Sequence, residues 1–164
     1  MLIKFLRAIA DRTPTFVMKL FFKIYPPYLG AGVKVEEISD DHKYMRVSLK
    51  LRFYNRNYVG TQFGGSIYSM TDPHYMFLLI KNLGPNYIVW DKAAKIEFIK
   101  PGKTHLTAEF RLTDDIINNV KQKTDQGDKY IFDLPVTIYD KSGETIAKID
   151  KTLYVRKKDL LKYI

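Results

Sequence analysis

Near residue 31 the spacing of apolar side chains switches from the 3.6-residue period of a helix to the two-residue period of a strand. Before the switch, Leu2, Phe5, Leu6 and Ile9 form one helical stripe, and Phe16, Val17, Leu20, Phe21 and Ile24 form another. Pro14 separates the two, Thr13 stands where a cap would, and Pro26-Pro27 ends the second. After the switch, Val33 and Val35 open a short strand. Met45, Val47, Leu49, Leu51 and Phe53 then alternate with Tyr44, Arg46, Ser48, Lys50 and Arg52, the pattern of a strand with one dry and one wet face. A long helix is predicted from Gly64 to about Leu83, apolar nearly all round from Tyr75 to Ile80, so it must be buried. Gly84-Pro85 stops it.

Four strands are predicted next, over 87–100, 104–113, 129–140 and 144–156. Their inward sets are Ile96 and Phe98; Leu106, Ala108, Phe110 and Leu112; Phe132, Leu134, Val136 and Ile138; and Ala147, Ile149, Leu153 and Val155. Asp140-Lys141-Ser142-Gly143 is a turn signal between the last two. The polar stretch 114–128 is compatible with a loop or a short helix. An antiparallel sheet that curls around one long central helix buries both elements at once. The expected class is therefore α+β with the hotdog arrangement, as a domain over 31–164 preceded by a helical extension over 1–30.

A length of 164 residues suits a single core, and the absence of cysteine excludes disulfides, thiolate zinc sites and a thiol nucleophile. The net charge is +9, but residues 1–30 carry +4 and residues 148–164 another +4, leaving the 117 residues between them at +1. A nucleic-acid binder would spread basic and aromatic side chains over a folded face, so no nucleic-acid partner is expected. Lys4 and Arg7 interrupt the first apolar stretch, which argues against a signal peptide, and no segment has the ~18 apolar residues of a membrane span. A cytoplasmic location is expected, with weak membrane-surface contact through residues 1–25 as a secondary expectation.

The nucleophile elbow, P-loop, dinucleotide fingerprint and zinc-protease motif are all missing. His42, His74 and His105 are too scattered for a metal site, and the acids around Asp114, Asp115, Asp125 and Asp128 lack calcium-loop spacing. The chemistry concentrates in Asn57-Tyr58-Val59-Gly60-Thr61-Gln62-Phe63-Gly64-Gly65, followed by Asp72. Two glycines at a helix start expose backbone N–H groups that can stabilise an oxyanion. Asp72, eight residues on, allows two readings. It is either a carboxylate placed among apolar neighbours for use, or the cap of a helix that begins at Pro73.

The 57–72 stretch resembles the hotdog thioesterase superfamily, in the branch of phenylacetyl-CoA-type and THEM-type acyl-CoA thioesterases. There an Asn precedes His-Gly-Gly at the helix start and an acidic residue follows on the helix; Ile96-Glu97-Phe98-Ile99-Lys100-Pro101 is also similar to the family's strand ending in Pro. The resemblance spans roughly 31–156. It implies Asp72 as general base or nucleophile, Gly64 N–H as the group polarising the thioester carbonyl, and Asn57 as the residue orienting water or carboxylate. It assigns Gly65, Phe63 and Thr61 to substrate binding, with Asp91 and Lys92 contributed by a second subunit of a homodimer or tetramer. Coenzyme A would enter only as part of an acyl-CoA or acyl-carrier substrate, near Arg56, Lys100 and Lys103, with no metal or other cofactor. Phe63 departs from the family's His, and Pro73 removes a helical N–H. His74 would point roughly 200° away from Asp72. The alternative is a non-catalytic acyl-binding hotdog protein; an acyl-thioester dehydratase, which needs a His beside the carboxylate, fits less well.

Overall fold

The structure is a computed structural model that describes residues 14–158. Among these residues, six antiparallel strands form one sheet in the order β1-β2-β4-β5-β6-β3. The strands are β1 (Val33–Ile38), β2 (Tyr44–Leu49), β3 (Tyr87–Phe98), β4 (Leu106–Arg111), β5 (Lys129–Asp140) and β6 (Thr145–Lys157). Their inward sets meet in one core that includes Met45, Val47, Leu106, Phe110, Ile138, Ile149 and Leu153, but Phe98, expected to face inward, is exposed at the end of β3. This is the hotdog arrangement, with β1 and β3 at the two edges of the curled sheet.

The central helix is interrupted. Gly64–Ser69 (α3) and His74–Leu83 (α4) are separated by Met70–Pro73, with a cis peptide between Asp72 and Pro73. Proline cannot donate the N–H that a continuous helix requires. α4 nevertheless supplies the buried filling expected of it, through His74, Tyr75, Leu78, Leu79 and Leu83.

Strand β2 ends at Leu49, short of Leu51 and Phe53, which had been expected to extend it. Asn55 explains the stop. Its Nδ2 donates to Lys50 O at 2.8 Å and its Oδ1 accepts from Arg52 N at 2.7 Å, taking up groups that a longer ladder would use. The chain turns there through a 3₁₀ segment, Phe53–Asn55, and Phe53 is exposed. The undecided stretch after β4 begins as helix α5 (Asp114–Thr124), capped by the Thr113 hydroxyl and burying Ile117, Val120 and Thr124.

At the N-terminal end, α1 (Thr15–Ile24) is helical as its period implies, and Pro26 opens a second short helix, α2 (Pro26–Ala31). The side of α1 that packs is not the expected stripe. Met18 and Phe22 are buried, whereas Phe16, Val17, Leu20, Phe21 and Ile24 are exposed. The reason is aromatic packing: the Phe22 ring meets Tyr28 at 5.6 Å and Phe77 at 5.2 Å, fixing the helix by its other face. The stripe over Leu2–Ile9 and the cap at Thr13 lie outside the described residues.

Candidate active site

The break between α3 and α4 carries Asp72, and its side chain does not cap α4. The carboxylate instead accepts from Lys151 Nζ at 2.9 Å. Lys151 lies on β6 in the inward register between Ile149 and Leu153, and its side chain is only 1% exposed. Its ammonium stands 3.5 Å from Asp91 Oδ2 and 5.2 Å from the centre of the Tyr68 ring. Sequence reasoning missed this lysine, although its signal was plain: a cation in the dry phase of a strand that otherwise reads Ala147, Ile149, Leu153, Val155.

Asp91 reaches the same point because β3 is bulged. Asp91 pairs with Leu153 and Ala93 with Thr152, so Lys92 is the extra residue. The bulge changes which side chains face inward, and Val89 and Asp91 before it share a face with Ala94 and Ile96 beyond it. Lys151 lies opposite Ala94, where a small neighbour leaves room for the long side chain. Asp91, expected as a residue that completes a partner's site, lies beside Lys151 within its own chain. Lys92 is exposed.

Two carboxylates sharing one ammonium cannot ionise equally. Burial alone would push the Asp72 carboxyl up, but hydrogen bonding from Asp91 and Lys151 and the Lys151 charge hold it below the ordinary carboxylate range. The Asp91 carboxyl is pushed up to about 7 by burial and by the Asp72 charge, against the pull of Lys151. Neither Asp91 oxygen is hydrogen-bonded as the carboxylate stands, and a proton on Asp91 supplies the missing bond by donating to Asp72. Asp72 is 44% exposed against 16% for Asp91, so the ionised group is the one more open to solvent.

The backbone of Asp72 is held from the N-terminal helices. Tyr28 Oη donates to Asp72 O at 2.7 Å and lies 3.2 Å from His74 Nε2. His74 is fully buried, and burial holds its imidazole down at about 3, so the ring is neutral. It therefore supports Tyr28 and does not replace the family's missing His.

Gly64 and Gly65 open α3 with Phe63 at the cap position. A side chain at Gly64 would come 3.2 Å from the Phe98 ring, and one at Gly65 would come 2.3 Å from the Phe63 ring. Two half-exposed aromatic rings therefore flank the start of the helix. Beside it lies an open groove of about 450 Å³, whose walls include Gly30, Tyr54, Arg56, Phe63, Gly65 and Ser69. Asp72 is not one of its walls. Asn57 is spent on its own loop: Nδ2 donates to Thr61 Oγ1 at 2.8 Å, and Oδ1 accepts from Thr61 N at 2.9 Å. Asn57 and Thr61 thus shape the loop that leads to Gly64, and the side chain that holds the Asp72 carboxylate is Lys151, not Asn57. Of the other basic candidates, Arg56 lines the groove, Lys100 pairs with Glu144 and Lys103 is exposed.

A search of the curated proteins found no match. Solved structures resemble the chain over most of its length. A Pseudomonas aeruginosa protein of unknown function, described as a probable thioesterase, is 18% identical with a TM-score of 0.78, covering 89% of this chain and 97% of that one. A protein of unknown function from Chlorobaculum tepidum is 18% identical with a TM-score of 0.71, covering 91% and 99%. A Haemophilus influenzae thioesterase is 10% identical with a TM-score of 0.64, covering 90% and 94%. At such identities the likeness establishes the fold. The DUF4442 family, described as a domain of unknown function, matches residues 14–155. By that match, over nearly all of the described structure, the chain belongs to the DUF4442 family.

Proposed function

We propose that this protein hydrolyses an acyl thioester at Asp72. The observation that carries the reading is the half-exposed Asp72 carboxylate, held ionised by a lysine that is itself almost wholly buried. A buried charge pair is expensive to keep, and a fold that needed only stability would do as well with apolar residues there. In this reading Asp72 takes a proton from water as the water oxygen bonds to the thioester carbonyl carbon. The N–H groups of Gly64 and Gly65 meet the developing oxyanion. The C–S bond then breaks, and the thiolate leaves with the proton. The structural likeness to proteins described as thioesterases supports the same reaction class.

The substrate we favour is an acyl-CoA or acyl-carrier thioester, with Arg56 on the groove wall available to a phosphate. A second copy of the chain completes the site in this reading. Strand β3 is an edge whose backbone is open to pairing, and Phe98 beside Gly64 lies at its end. One observation favours the alternative, an acyl-binding protein without turnover: Phe63 places a ring without nitrogens over Gly65, where the family's His would donate a hydrogen bond.

Release of free thiol from a panel of acyl-CoAs tests the proposal. Hydrolysis should occur and should fall by at least about 100-fold in Asp72→Asn. Uptake of acyl-CoA with no turnover, and with affinity unchanged in Asp72→Asn, would favour the binding protein.

A further inference from the structure

The outward side of α1 has no place in the chemistry above. Phe16, Val17, Leu20, Phe21 and Ile24 are 37–71% exposed, and Leu29 on α2 adds a further exposed apolar side chain at 56%. At about 100° per residue, the five on α1 fall within an arc of roughly 140°, with Met18 and Phe22 on the opposite, packed side. Apolar side chains scattered singly over a surface need no explanation, but a continuous stripe along a whole helix does.

Charge decides what covers it. Lys19 and Lys23 lie one turn apart along one margin of the stripe. No acidic residue occurs between Asp11 and Glu36, and Lys4, Arg7 and Arg12 precede the helix in sequence. The carboxylate placed beside α1, Asp40, accepts from Thr15 Oγ1 at 3.3 Å, and Thr15 is turned away from the stripe. A second copy docking by the same face would set lysine against lysine with no counter-charge. A surface of anionic headgroups neutralises them, while their apolar stems lie along the boundary with the acyl chains.

We propose that α1 and the exposed Leu29 form a docking face for an anionic lipid surface. The helix lies in the plane of the interface, with Phe16, Leu20, Phe21 and Ile24 entering the headgroup–acyl boundary and Lys19 and Lys23 meeting lipid phosphates. Because Met18, Phe22 and Tyr28 fasten the opposite side to the domain, the docked helix holds the whole protein at the surface. Among the described residues no helix is long and apolar enough to cross a membrane, and the inferred contact is peripheral. It is independent of whether Asp72 is catalytic.

Co-sedimentation of the full chain with vesicles tests this, using phosphatidylcholine alone and phosphatidylcholine mixed with phosphatidylglycerol. Binding to the anionic vesicles should be at least about tenfold stronger and should weaken as salt is raised. Lys19→Gln and Lys23→Gln should each weaken it about fivefold. The double variant Phe16→Ser/Leu20→Ser, which changes only exposed side chains, should weaken it by tenfold or more while its circular dichroism stays native. Lys148→Gln, on β6 away from α1, should bind as the unmodified protein does. The proposal is overturned by absent or equal binding to the two vesicle types, or by binding that survives the serine substitutions. It is also overturned by self-association that those substitutions abolish in a protein that ignores vesicles, since a second copy would then be the occupant.

Discussion

Lys151 and Asp72 are 79 positions apart in the chain, yet Nζ and Oδ1 stand 2.9 Å apart. The contact joins the last strand to the break in the central helix, and everything proposed for the site passes through it. Replacing Lys151 by Met keeps most of the length of the side chain and removes the charge, leaving the Asp72 carboxylate and the Asp91 carboxyl beside an apolar stem. A loss of about 3–5 kcal/mol is expected, read as a lower urea midpoint with an unchanged slope. Adding Asp91→Asn to Lys151→Met should restore part of it, because the Asn amide can donate to the Asp72 carboxylate at any pH, without the proton that Asp91 must hold to do so.

Asp91 gives the fold a pH dependence of definite sign. Its carboxyl is raised to about 7 in the folded protein by burial and the Asp72 charge, against an ordinary value of 3.8 when unfolded. Between those values the folded chain holds a proton that the unfolded chain has released. Stability from this group is therefore greatest below about pH 4 and falls as pH rises toward about 7, levelling off beyond. Asp72, held low, works the other way and withdraws its contribution only under acid. Urea unfolding at pH 5 and pH 8 should show Asp91→Asn losing much of this decline and exceeding the unmodified protein in stability at pH 8.

Tyr28 is expected to act on the reaction through position alone. Its hydroxyl fixes the Asp72 carbonyl and meets a neutral, buried His74. Tyr28→Phe keeps the ring stacked on Phe22 but leaves two polar groups unanswered, at a cost of about 1–3 kcal/mol. If the thioesterase reading holds, kcat should drop several-fold with KM nearly unchanged. An equal change in both would mean that Tyr28 merely shapes the binding surface.

Gly32 ends α2 at φ +81°, and a side chain there would come 2.4 Å from Asn55 Nδ2. Asn55 is buried and holds the turn that leads to the Gly64 loop, so it has little freedom to retreat. Gly32→Ala should cost about 2–4 kcal/mol from backbone strain and crowding together. Thermal unfolding measures it, and a variant as stable as the parent would refute the account.

The strands were legible because period-two alternation is written in side chains that each face either the core or water. The same rule held the least expected site residue: Lys151 occupies an inward phase, and a cation there demands partners. The helix break was harder to see. Gly64 to Leu83 reads as one helix with an apolar second half over Tyr75–Ile80, and the Asp72-Pro73 pair inside it is compatible with either a cap or a kink. Only the distant Lys151 decides between these, and no local pattern carries a contact made across 79 positions. For α1 the period was right and the buried side wrong. Two stripes of similar hydrophobicity compete on that helix, and the choice between them is made by Tyr28 and Phe77, which the helix's own sequence does not contain.

The bulge at Lys92 means that β3 behaves as two half-strands out of step by one residue. Deleting Lys92 would bring them into step and leave Asp91 and Val89 on the face they share with Ala94 and Ile96, because Asp91 and Ala93 already pair with the successive residues Leu153 and Thr152. The extra residue and the bulge thus cancel: a one-codon loss at Lys92 would straighten the edge strand and keep the carboxylate pair, whereas the same sequence paired without a bulge would turn Asp91 out of the core.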